Sequence, residues 1–381
     1  MYYYYLCFTD TRLYSKCHHN ALIQEQIVLT LIHINKMESN VTKTAMLLSN
    51  VSTKSFDNAT LEMITSPIMT IAVPVIYLAV VIFSVPLNTV SFWILLFHTK
   101  KKSPTIIFTI NLSLTDFLYS LSLPFQIVYH LSGNNWPFGD YVCRISTVAF
   151  YGNMHCSILT TCAISLDRYW GIVKPLHTRH WRTVRSAVIA CIFMWALVLL
   201  MNSLMITSCL TVNVEQLGVV TCFDIIPKTM FSPPIYGYLY FSAHLLFFFI
   251  IPLIIFVICY SVILKTLKNS PNTEIPDSKR QTINLITVIL LCFSVCYVPH
   301  IILQIIHTVL RSQKKSLYVY YKLSLGLNSL NCCFDPFIYY FASKDFRHKL
   351  QSKICGCSFM RFDESSTSKV SEMAHLKVQQ S

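Results

Sequence analysis

The chain has 381 residues, of which 54% are hydrophobic and only 12% charged, with 8 glycines, 25 Phe and 21 Tyr. A soluble domain carries about twice that charged share, so a water-soluble globular protein is excluded and an integral membrane protein is expected. The formal charge of +13 lies in short runs between apolar segments, which argues against nucleic acid as a partner, and the 15 cysteines show no metal-ligand spacing.

Residues 1–36, with Tyr2 to Tyr5 and a polar, His-bearing stretch, resemble neither a secretory signal nor a folded element. They are expected to be an extension upstream of a start at Met37. Residues 37–67 are rich in Ser, Thr and Asn and hold N-x-[ST] sequences at Asn40, Asn50 and Asn58, the pattern of a glycosylated extracellular tail. Seven long apolar segments fill residues 68–341: Met69–Phe97, Thr105–Leu131, Asp140–Val173, Ala187–Ile206, Tyr236–Leu267, Gln281–Val309 and Tyr318–Phe341. Each reaches the ~20 residues a spanning helix needs, and a helix satisfies its own backbone in lipid. Pro86, Pro124, Pro252, Pro299 and Pro336 lie inside these segments, where neighbouring helices can bond the freed carbonyls.

Basic residues gather after alternate segments. Lys100, Lys101 and Lys102 follow the first, Lys174, Arg179, Arg182 and Arg185 the third, and Lys265, Lys268, Lys279 and Arg280 flank the connection after the fifth. Lys344, Arg347, Lys349 and Lys353 follow the seventh. Positive-inside bias then places the N-terminus outside and the C-terminus in the cytosol. The expected fold is an all-α membrane protein, a seven-transmembrane helix bundle of the plasma membrane. Residues 342–357 mix apolar and basic residues at helical spacing, as in a short amphipathic helix on the inner membrane surface, with Cys355 and Cys357 as palmitoylation sites. Residues 358–381 read as a disordered cytoplasmic tail.

The third segment organises the others. From Cys143 to Arg168 a helix covers roughly 37 Å, more than the ~30 Å hydrocarbon core, so its two marked ends face opposite aqueous phases. Cys143 at the outer end and Cys222 in the following outer loop are expected to form a disulfide in an oxidising exterior; two free thiols are the alternative, and Cys209 is the lesser candidate partner. Asp116 and Asp335 are carboxylates inside spans, with Asn153, Ser157 and Asn331 able to face them. These oxygens suit a sodium ion or a proton, or else a purely structural polar network.

Catalytic readings fail. No Gly-x-Gly-Asp pattern supports an aspartyl protease, and no HExxH, Walker or dinucleotide loop appears. Lys322 lies within the first few residues of the seventh segment, a poor place for a retinal Schiff base. A transporter or channel would show inverted repeats or paired broken helices, and no such symmetry is visible. The chain is not expected to be an enzyme or to need a cofactor beyond an allosteric sodium ion.

Read together, Asn88, Asn111 to Asp116, Asp167-Arg168-Tyr169, Trp195, Pro252 with Tyr260, Cys296 to Pro299 and Asp335-Pro336-Phe337-Ile338-Tyr339 resemble the rhodopsin-class (class A) G-protein-coupled receptors. Trp136-Pro137-Phe138-Gly139 and the run Asn331 to Phe341 narrow the likeness to the purinoceptor-like branch. Asp57 to Leu61, Leu123 to Ile127 and Thr221 to Asp224 narrow it further to the subtype-eight purinoceptors. The resemblance implies a two-state bundle. Arg168, held by Asp167 at rest, is released as the sixth helix swings about Pro299 beside Tyr297; Tyr260 and Tyr339 turn inward, opening a cleft for a Gα subunit. It also implies heterotrimeric G protein as partner, leaning to the twelve/thirteen class, and arrestin.

For an extracellular ligand, the mouth offers Tyr129, His130, Arg144, Tyr151, His155, His300, Gln304, His307, Tyr321 and Lys322. Arg144, Lys322 and the basic Arg311, Lys314 and Lys315 favour an anionic head group, and Phe247 to Phe249 could take a lipid tail. Nucleotide-binding relatives place basic residues where Thr147 and Gln304 stand here. An anionic lipid-like ligand is therefore the expectation, with a nucleotide-activated purinoceptor the alternative.

Overall fold

The computed structural model describes residues 58–99, 102–225, 235–269, 277–312 and 317–342, with a few isolated positions outside those stretches. Asn40, Asn50, Cys355 and Cys357, and nearly all of residues 342–381, lie outside the described residues. Among the described residues seven helical spans form one bundle. Five of them (Thr60–His98, Pro104–Leu131, Val184–Met201, Ile235–Lys268 and Thr282–His307) are long and apolar enough to cross a membrane. Phe83, Phe97, Ile189, Phe193 and Leu200 turn outward from these helices, a belt that needs lipid rather than water around it.

The third span, Gly139–Val173, runs for 35 residues but is not apolar throughout. Its centrality explains this. It packs against the second, fourth, fifth and sixth spans, so its buried face can hold Asn153, His155, Ser157 and Thr160 against partners instead of lipid. The seventh span is divided into Tyr318–Asn328 and Asn331–Ala342, not continuous as its hydropathy suggested. Pro336 removes the amide that would bond the carbonyl four residues back. Asn88 Nδ2 supplies the missing donor, reaching the Cys332 carbonyl at 2.8 Å.

Wide π-type turns precede three other prolines: Ile68–Ala72 before Pro74, Leu246–Ile250 before Pro252 and Phe293–Tyr297 before Pro299. Each holds an extra residue per turn and rotates the side chains beyond it. The fourth span ends at Met201 rather than Ile206, because Asn202 folds back to donate to the Val198 carbonyl at 2.7 Å.

The region expected to be an open tail ends in a folded helix, α1 (Asn58–Thr65), with Asn58 exposed at its first position. A hairpin follows the fourth span, β1 (Thr211–Val214) paired antiparallel with β2 (Val219–Cys222), Thr211 opposite Cys222. Gly218 turns the hairpin at φ 63°. Met63 and Ile64 of α1 pack on Val214 and Ile225, and Gln216 exchanges hydrogen bonds with the Phe56 backbone at 2.8 and 3.2 Å. Helix and hairpin together roof the Cys143 end of the bundle.

Candidate functional site

At the roofed end, Cys143 and Cys222 form the disulfide, which leaves Cys209 out of that bond. One turn before Cys143, Asp140 Oδ1 accepts from the Leu210 and Thr211 amides at 2.7 and 3.0 Å. Asp140 also pairs with Arg144. The hairpin is thus pinned to the third span at both of its strands. Arg144, expected to meet ligand, spends its charge on this clamp.

Beyond Cys222 the chain drops into the bundle. Phe223 adopts a left-handed backbone, φ 61°, and Asp224 is buried. Its carboxylate accepts from Lys322 Nζ at 2.6 Å, from the Tyr129 hydroxyl at 2.6 Å and from the Tyr318 hydroxyl at 3.0 Å. Burial alone would raise the Asp224 pKa, but the Lys322 ammonium and the hydrogen bonds hold it below the ordinary carboxylate value. Asp224 is therefore ionised at physiological pH. Lys322, expected to stand open at the mouth, is buried against this internal counterion.

A small cavity lies beneath Phe223, bordered by Gln126, Thr147, Tyr151, Phe223 and Lys322. An aromatic and histidine layer adjoins it. His155 stacks on Phe248 with centroids 3.9 Å apart, and His300 lies 5.2 Å from Tyr321, which stacks on His307 at 5.6 Å. Phe248 and Phe249 are buried while Phe247 faces outward, so two of the three phenylalanines line the interior. His130 turns aside to Asn134, with Nδ1 2.6 Å from its side-chain oxygen, and Gln304 is half-buried on the sixth span.

Midway through the bundle, Asn153 Nδ2 donates to Asp116 Oδ1 at 2.9 Å and reaches Ser157 Oγ at 3.5 Å. The Tyr339 hydroxyl, with one proton to give, lies 3.1 Å from Asp116 Oδ2 and 3.2 Å from Asn88 Oδ1. Asp335 is in side-chain contact with Asp116. Among the described residues its buried Oδ2 has no hydrogen-bond partner, and that orphaned oxygen beside a second carboxylate fits a cation or a shared proton. Asn331, expected to face this cluster, instead donates to the Tyr297 hydroxyl at 2.9 Å, tying the sixth span to the seventh.

At the far end, Asp167 is buried and Arg182 Nε donates to its Oδ1 at 2.7 Å, with Thr105 Oγ1 on Oδ2 at 2.7 Å. The carboxylate expected to hold Arg168 is thus engaged from the loop side by Arg182. Arg168 and Tyr169 are half-buried beside it. Tyr260 already points inward, bonded to Ser165, and Tyr339 is fully buried. Both tyrosines occupy the interior in this conformation, where the resemblance places them only after activation.

A roofed seven-helix bundle with a polar mid-membrane cluster and an Asp-Arg-Tyr end defines a membrane receptor rather than an enzyme. Residues 87–339 match the family described as 7 transmembrane receptor (rhodopsin family), and the chain belongs to that family. It is 40% identical over 302 residues to the human S-geranylgeranyl-glutathione receptor P2RY8, covering 79% of this chain and 84% of that one. To the chicken P2Y purinoceptor 8 it is 41% identical, over 77% of this chain and 82% of the other. To mouse proteinase-activated receptor 2 it is 36% identical, over 79% of this chain and 76% of the other. It is a multi-pass G-protein-coupled receptor, with an extracellular ligand and a G protein as its partners.

Sequence reasoning passed over Asp224 as a contact, and Asp140, Thr105, Arg182 and Tyr318 as partners. One signal was available for Asp224. Residues 208–235 hold only two acids, Glu215 and Asp224, and a lone acid beside a bridged cysteine is well placed to enter the bundle.

Proposed function

We propose that this receptor sits in the plasma membrane with its N-terminus outside and carries the signal of an anionic, lipid-like ligand to G proteins, with the twelve/thirteen class favoured. The single observation that supports the ligand class is the buried ammonium of Lys322 beside an aromatic cavity at the Cys143 end. A carboxylate suits the Lys322 ammonium, which Asp224 neutralises in this conformation, and Phe150, Tyr151, Phe223 and Leu325 give the cavity apolar surface for a chain. The name of the human relative is in keeping with this, since a geranylgeranyl thioether of glutathione joins an isoprenoid tail to a carboxylate-bearing head. Thr147 and Gln304 bring no cation for a phosphate group, which favours the lipid reading over a nucleotide.

Signal passes down the third span to Arg168, which engages Gα, while Asp116, Asn153, Ser157 and Asp335 would hold a sodium ion or proton that favours the resting bundle. Membrane lipids and arrestin are further partners, the latter at the cytosolic tail. Asn40, Asn50 and Asn58 are the proposed glycan acceptors, and Cys355 with Cys357 the proposed palmitoyl sites.

The test is a Gα activation panel in cells with S-geranylgeranyl-glutathione as the probe. Wild type responds. Arg168→Ala at matched surface level loses the response; retention at wild-type strength contradicts the role of Arg168. Lys322→Ala raises the EC50 by at least roughly tenfold, equivalent to ~1.4 kcal/mol, as befits loss of a charge-assisted contact. An unchanged dose–response curve removes Lys322 from the ligand site.

A further inference from the structure

The ligand reading leaves a problem at Lys322, whose ammonium is already occupied. Asp224 takes it at 2.6 Å, and two tyrosine hydroxyls complete the carboxylate's coordination. Among the described residues, Lys322 is the one charged residue bordering the cavity. An incoming carboxylate that left Asp224 in place would face a buried like charge with no free cation. A neutral ligand that expelled Asp224 would strand Lys322 without an anion. Exchange of one carboxylate for another avoids both penalties.

We propose that Asp224 is a built-in stand-in for the ligand's anionic group, and that an agonist carboxylate displaces it from Lys322, Tyr129 and Tyr318. This rests on the anionic-ligand reading above and makes Asp224 the residue that sets ligand charge. Displacement also has a mechanical consequence. Phe223 lies between the Cys143–Cys222 bridge and Asp224, in a left-handed backbone that a bulky aromatic residue adopts only under constraint. Releasing Asp224 removes the constraint on one side, and Phe223, which packs on Tyr151 of the third span at 5.7 Å, is free to move. The hairpin, the disulfide and the third span then shift together. The ligand favours the released state because only that state offers it Lys322.

The experiment compares wild type with Asp224→Asn, full-length and at matched surface level, across a Gα panel. Asparagine keeps the size of the side chain but turns one of its two acceptor oxygens into a donor and gives Lys322 no counter-charge. The expected results are raised basal signalling and an S-geranylgeranyl-glutathione EC50 lowered by roughly tenfold, inside the usual range of coupling factors. Should Asp224→Asn fail to reach the surface, Tyr318→Phe, which loosens the hold on Asp224 and keeps both charges, is expected to shift both readouts in the same direction by less. Basal activity and EC50 both at wild-type values in the variant that is expressed overturn the proposal while leaving the ligand reading intact. A wild-type receptor silent to the probe overturns that reading instead. Basal signalling of the variant then decides the role of Asp224 alone, an increase supporting it and no change refuting it.

Discussion

Replacing Cys143 by serine is expected to remove most receptor from the cell surface and to abolish the ligand response of what remains. The bridge to Cys222 spans 79 residues of chain, and closing a loop of that length restricts the unfolded state by about 4.5 kcal/mol on chain-entropy grounds. That is a large part of the ~5–15 kcal/mol by which folded proteins are stable. The loss is also local. Without the bridge the hairpin keeps non-covalent holds alone: the Asp140 clamp, the Trp136 amide on the Val220 carbonyl at 2.7 Å, Asn135 Oδ1 on the Val220 amide at 3.0 Å, and the Phe56–Gln216 and α1 contacts. Asp224 then lacks the anchor two residues upstream that directs it to Lys322. Cys222→Ser is expected to match Cys143→Ser, and the double variant to be no worse than either, because all three break one bond. Surface labelling and thermal stability in detergent check this. A double variant clearly less stable than both singles would mean that the cysteines contribute separately.

The bundle was legible because lipid leaves the backbone one open-ended solution, so each span had to appear as a long apolar run. The third and seventh spans are the exceptions that show how far this holds. Protein surrounds the third span, and the seventh breaks at residues 329–330, so neither is apolar and continuous throughout, although both read as long apolar segments in the sequence. Asp116 stood out as a charge inside an apolar run, and its contacts with Asn153 and Tyr339 come from helices whose register follows from that run. Asn331 lay one turn from Asp335 in sequence, yet it faces Tyr297. The wide turn at Phe293–Tyr297 rotates the sixth span by a residue, which helical spacing does not reveal. The similar turn at Leu246–Ile250 covers Phe247 to Phe249, of which the first faces out and the other two face in.

Charge was the least legible quantity. Arg144 and Lys322 both read as free cations at the mouth, and each is neutralised by an aspartate, Asp140 one turn away and Asp224 98 residues earlier. A sequence counts charges but does not pair them across a fold. The same limit hid Arg182, whose partner Asp167 lies 15 residues before it, across a loop that must first fold back.

That loop gives the second large effect. Arg182→Ala is expected to destabilise the receptor by about 2–3 kcal/mol, short of the ~3–5 kcal/mol for breaking a fully buried pair because the arginine side chain is 29% exposed. Asp167, only 3% exposed, would keep one donor, Thr105, for a carboxylate that now has three bonds. Adding Asp167→Asn to Arg182→Ala removes the stranded charge and is expected to recover a good part of the loss. A thermal-stability cycle on wild type, both single variants and the double variant measures the coupling. Arg182→Lys is expected to fall between alanine and wild type, since it keeps the charge but not the two-nitrogen contact on the carboxylate. Two neighbours hold the same turn independently: Trp170 meets Trp181 edge-on at 4.5 Å, and Thr178 Oγ1 donates to the Trp170 carbonyl at 3.3 Å. The loop should therefore stay docked when Arg182 is lost, so the cycle isolates the charge pair from unfolding of the loop. A coupling energy near zero would reduce Arg182 to a surface residue and return Asp167 to Arg168, the partner expected from their adjacency.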